Sequence, residues 1–97
     1  MSEQYTKEDV ALLRKELMAI MRRRVIAQAK LTFLWEEEDL ERKCRIGDEP
    51  EESFVKRGRS ICKWDDKAAE YVQKEMEAYD SYVDACWLYQ METGKPL

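Results

Sequence analysis

Residues able to attack, protonate or ligate are plentiful in this chain, 21 Asp and Glu and three Cys among them, but they form no catalytic constellation. Asp65-Asp66, and Asp80 with Asp84 four residues on, are paired carboxylates on one expected helix. Such pairs share acid and base work only where a site holds them at different pKa values. At four-residue spacing on an amphipathic helix they form a solvated face. Cys44, Cys62 and Cys86 are odd in number, far apart and free of any C-x-x-C pair, and the chain has no histidine. A disulfide framework is therefore not expected, and three thiols do not make a structural zinc site. Without histidine the usual general base near neutral pH is missing as well. No G-x-S-x-G, P-loop, H-E-x-x-H or Gly-rich phosphate cradle occurs. The expectation is a protein that is not an enzyme, with no catalytic residues, no metal and no cofactor.

Charge and aromatic clusters offer binding chemistry instead. Residues 1–35, 36–52, 53–64 and 65–97 carry net charges of +3, −6, +4 and −5, giving the total of −4. Alternation on this scale favours back-folding that brings opposite charges together, an arrangement salt should loosen. Arg22, Arg23 and Arg24 form one basic cluster, and Lys56, Arg57 and Arg59 a denser one, flanked by Phe54 and Trp64, which could stack on a base. These six cations are the candidate charged-recognition residues. The arginine cluster spreads around its helix, however, and a sequence pI near 5.0 lacks the basic footprint of a nucleic-acid binder, so direct DNA binding is disfavoured. Glu36-Glu37-Glu38-Asp39 is the acidic counterpart, able in principle to imitate a phosphate backbone. Towards the C-terminus Tyr79, Tyr82, Trp87, Leu88, Tyr89 and Met91 supply more aromatic and apolar surface than one helix stripe can bury. They are the candidate partner-binding residues, because Tyr, Trp and Met are enriched at interface centres.

The elements that must position these groups are helices. The chain has 97 residues, 39% of them charged, with three Gly and two Pro, the composition of one small charged helical domain. Thr6 and Asp9 form a capping box, with Tyr5 and Val10 as a hydrophobic staple. Val10, Leu13, Leu17, Ile20, Ala27, Leu31 and Leu34 follow in steps of three and four, with Arg24 at the interrupted position. This predicts a helix over about 7–45, with a break possible near Trp35 to Asp39. Gly47 and Pro50 predict a turn, and residues 46–64 an irregular connector with one helical turn at most. A second helix is expected over about 65–93, starting at Asp65 or Asp66 and stopping at Gly94 before Pro96. Its expected stripe is Ala69, Val72, Met76, Tyr79, Val83, Cys86 and Gln90. The fold class is all-α: two long helices in an antiparallel hairpin or a three-helix arrangement.

No apolar run is long enough for a membrane span, and Met1-Ser2-Glu3-Gln4 lacks the layout of a signal peptide. A cytosolic protein with no membrane partner is expected.

The opening Met1 to Val10, the Arg22-Arg23-Arg24 cluster, the acidic middle and the Trp87-Leu88-Tyr89 end together resemble the small anti-RecBCD proteins of lambdoid phages, of the Abc type. The resemblance runs the length of the chain and includes its size. It implies a protein of the infected bacterial cytoplasm that binds the host RecBCD helicase–nuclease through its RecC subunit. Binding would alter nuclease and Chi-dependent recombination activity. No individual residue role is carried over from it. The residues alone leave two further possibilities: a helical nucleic-acid-binding adaptor, and an acidic DNA mimic acting on another host defence complex. The Glu49-Pro50 and Lys95-Pro96 bonds could also engage a host prolyl isomerase, since such bonds in mobile segments sample both isomers.

Overall fold

A computed structural model describes residues 5–44 and 51–96. Two helices make up the fold, α1 over Lys7–Cys44 and α2 over Glu51–Thr93, packed side by side and antiparallel. The all-α hairpin expected from the sequence is the architecture observed. At 1.5 Å per residue, helices of 38 and 43 residues span about 57 and 64 Å. The molecule is accordingly a rod of 69 × 22 × 15 Å. Its radius of gyration is 21.0 Å, where a compact chain of this length would have about 13 Å.

The start of α1 is fixed as its sequence predicts. The Thr6 N–H donates to Asp9 Oδ2 at 2.9 Å, and the Asp9 N–H donates back to Thr6 Oγ1 at 3.1 Å. This hydrogen bond from the Thr6 backbone, then that of its hydroxyl, holds the Asp9 carboxyl below the usual carboxylate range. Tyr5 packs beside Val10 and closes the staple. The expected stripe of α1 faces α2 throughout, with Val10, Leu17 and Ala27 buried and the residues between them half-buried. No break occurs near Trp35, because the seam continues one turn beyond Leu34 to Glu38. At the far end of α2, Gly94 takes φ +66° and its N–H donates to the Gln90 carbonyl at 2.8 Å. Glycine adopts this left-handed stop at little cost.

Two expectations for the second half are corrected. The helix does not wait for Asp65: residues 51–64 belong to α2 rather than to an irregular connector, and Glu51 and Glu52 stand in its first turn, where acids favour the helix dipole. Residues 46–50 of the expected turn, with Gly47 and Pro50, lie outside the described residues. The seam is hidden in the sequence because its first member is Arg57, a charge where an apolar residue is normally sought. From there Ile61, Trp64, Ala68, Tyr71, Glu75, Ala78, Tyr82, Ala85 and Tyr89 face α1, buried or half-buried. The stripe expected for α2 therefore sits one residue late. Ala69, Met76, Tyr79, Val83 and Gln90 are exposed, and Val72 and Cys86 half-covered.

Candidate partner-binding surface

Six candidate anchors on the second helix divide among three environments. Tyr89 is buried, and with Val10 and Ala85 forms the apolar cluster that holds the ends of the two helices together. Tyr82 packs against the same cluster and hydrogen-bonds Cys86, which with partial burial pushes its phenol pKa up. Leu88 is half-buried. Tyr89 thus belongs to the core, which corrects its assignment as an interface residue, and Tyr82 serves mainly there too. The remaining three are open: Tyr79 is 57%, Trp87 62% and Met91 63% exposed. They do not share one side. Trp87 and Met91, one turn apart, project away from α1 at the tip of the rod. Tyr79 lies nearer α1, beside a groove of about 420 Å³ lined by Leu17, Met21, Arg24, Glu75, Met76 and Asp80.

The charged candidates divide in the same way. Arg24 is drawn into the seam, its Nε 2.8 Å from Glu75 Oε2 and its Nη1 donating to Gln28 at 2.8 Å. Arg57 reaches across from α2, its Nε 2.6 Å from Glu38 Oε2. Glu38 is only 5% exposed and also accepts from Arg42 Nε at 3.1 Å. The Arg57 hydrogen bond, with help from Arg42, outweighs burial and holds the Glu38 carboxyl below its usual range. Arg24 and Arg57 are therefore interhelix struts, not recognition residues. Arg22, Arg23, Lys56 and Arg59 remain exposed.

The acidic run is broken up by the same geometry. Glu38 points inward, Asp39 pairs with Lys43 at 2.9 Å, Glu37 is half-buried and Glu36 exposed. A helix turns about 100° per residue, so four consecutive carboxylates cannot form a phosphate-like row.

The chain matches no family model, no curated protein and no solved structure. Among the described residues no group of three or more His, Cys, Asp or Glu gathers to hold a metal, and no helix is long and apolar enough to cross a membrane. Phe54 and Trp35 are exposed beside a second groove, about 320 Å³, near the end of α1 and the start of α2, with Glu38, Gly58 and Ile61 in its lining. Trp64 is half-buried with the Lys67 ammonium 4.8 Å from its ring centroid. Sequence reasoning singled out neither Trp35 nor Met76 as a binding residue. Their signal was available: large apolar side chains left over once the seam is correctly phased.

Proposed function

We propose that this hairpin is a binding protein that performs no chemistry and acts by docking on a large host assembly, the RecBCD helicase–nuclease, through its RecC subunit. The observation that carries the docking reading is the tip of α2, where Trp87 and Met91 stand 62% and 63% exposed on a surface directed away from α1. A Trp ring held out on a rigid helix loses little conformational entropy on binding and brings large contact area, and the flexible Met91 thioether beside it adapts to the partner's surface. The choice of RecBCD rests on the resemblance of the chain to the Abc-type phage proteins. Exposed Arg22, Arg23, Lys56 and Arg59 would steer and orient the approach. The bound protein would alter nuclease and Chi-dependent activity from the bacterial cytoplasm.

Two alternatives lose ground. A nucleic-acid adaptor using Arg22 to Arg24 and Lys56 to Lys63 would have Arg24 and Arg57 already held by Glu75 and Glu38. A DNA mimic would need the four acids from Glu36 to Asp39 on one side. A host prolyl isomerase remains an additional partner reading through Lys95-Pro96, where Pro96 is exposed; Glu49-Pro50 lies outside the described residues.

The test is co-elution of the purified protein with purified RecBCD, and with RecC alone, on a sizing column at physiological salt. A retained complex that Trp87→Ala weakens about 30-fold or more, with helix content unchanged by circular dichroism, is the expected result. Failure of the unaltered protein to co-elute with either would sink the RecBCD reading. Binding to free DNA with a steep salt slope would install the adaptor in its place.

A further inference from the structure

On one flank of the rod, Met18, Met21 and Val25 of α1 and Met76, Tyr79 and Val83 of α2 form a second apolar surface, all exposed or half-exposed. On each helix the spacing is again three and four residues, the repeat of a packing seam rather than of scattered surface residues. The two rows lie at the same height, since Met21, Met76 and Tyr79 line one groove together around the Arg24–Glu75 pair.

We propose that this flank is where two copies of the chain meet, forming a four-helix bundle about a two-fold axis parallel to the helices. Area is the first argument. The long side of the rod, 69 by 22 Å, is about 1,500 Å² in all, room enough for the about 800 Å² per partner that a stable interface needs, with the Met and Val rows as its apolar centre. The second is the thinness of the single hairpin: among the described residues no large side chain is fully buried. Two helices alone cover each other on one side only, whereas a bundle gives every helix a second neighbour. Charge is the third. Asp80 lines the groove, and Arg14 lies close enough to Tyr82 for its charge to act on the phenol, so the acid and the base border the flank at nearly the same height. Rotation about an axis parallel to the helices preserves height and exchanges α1 for α2. Each Arg14 then faces the Asp80 of the other copy, as an isologous contact requires. Trp87 and Met91 project elsewhere and stay available, so the pairing does not depend on which host protein is bound.

Sedimentation equilibrium of the full chain between about 1 and 100 µM tests the proposal, a range that spans micromolar dissociation constants. The expected mass is twice the 11.6 kDa of the chain. Met76→Glu should raise the dimer dissociation constant about 30-fold or more, while Trp87→Ala leaves it unchanged. Arg14→Glu should weaken the dimer, and adding Asp80→Arg should restore it. Because Met76→Glu could also unfold the chain, the unaltered protein supplies an independent measurement: its unfolding temperature should rise with concentration. A helical protein of single-chain mass at the top of the concentration range, with a concentration-independent unfolding temperature, overturns the proposal. A dimer indifferent to Met76→Glu overturns this flank as its contact. A single-chain protein that loses RecBCD binding on Met76→Glu also overturns it, and gives the flank to the host.

Discussion

The two ends of the hairpin are held by different physics. At the end carrying both termini, Val10, Ala85 and Tyr89 make a small apolar cluster, closed on one side by the Thr6–Asp9 box and on the other by Gly94. At the opposite end, where α1 finishes and α2 starts, the central contact is ionic, with Glu38 held between Arg57 and Arg42, and large apolar groups such as Trp35 and Phe54 lie outside it. An apolar contact persists through changes of pH and salt. A partly buried ion pair holds only while both groups are charged, and it does not repay its desolvation unless its geometry is good. The ionic end is therefore the conditional half of the molecule.

The largest expected effect breaks the apolar end. Tyr89→Ala removes a buried ring from a core with few members and should cost about 3 kcal/mol, read by urea unfolding at fixed protein concentration. Next comes the ionic end. Glu38→Ala removes the acceptor of both Arg57 and Arg42, and hydrogen exchange should quicken in residues 51–61 while residues 82–90 stay protected. Acid should act in the same place. Glu38 has a lowered folded pKa, so its contribution is complete above the ordinary glutamate value of 4.5 and is lost as pH falls from there through the lowered value. Asp9 titrates in the same direction, but its protonation unties one cap and leaves the apolar cluster intact. Equal loss of protection at both ends on acidification would erase the contrast.

Smaller changes sharpen it. Thr6→Ala should cost about 1 kcal/mol through the lost cap, confined to the terminal end. Gly58→Ala should stabilise by about 0.8 kcal/mol, because a Cβ there meets no atom within 4 Å and helix interiors favour Ala. The smallest effect is that of salt on the exposed Lys43–Asp39 and Lys74–Glu70 pairs, whose loss should be barely measurable by thermal unfolding.

Much of this was legible in the residues, and unevenly so. The capping box, the staple, the seam of α1 and the stop at Gly94 all follow from local rules that tertiary structure did not override. The seam of α2 did not, because Arg57 and Glu75 occupy two of its positions and alanine three more, at 68, 78 and 85. A search for large apolar residues slides onto the neighbouring row, where Met76, Tyr79 and Val83 give a cleaner but outward-facing pattern. Phase can be recovered only by asking which charges on the two helices answer each other across the gap. Among the site residues, the same misphasing placed Tyr89 with the anchors and hid Glu75 as the partner of Arg24, while the late start expected for α2 left Arg57 in the connector and so with the recognition groups.

The ion pairs Arg24–Glu75 and Glu38–Arg57 also key the two helices, as notches key a shaft. Heptad repeats by themselves allow sliding by seven residues at small cost, since one apolar layer resembles the next. Here a slip of one heptad would set Arg24 against Tyr82 and Glu38 against Trp64, stranding charge in an apolar seam at two levels at once. The rod can therefore mate with itself in one alignment only. Every outward feature, from the Met76 flank to the Trp87 tip, inherits its position from that alignment.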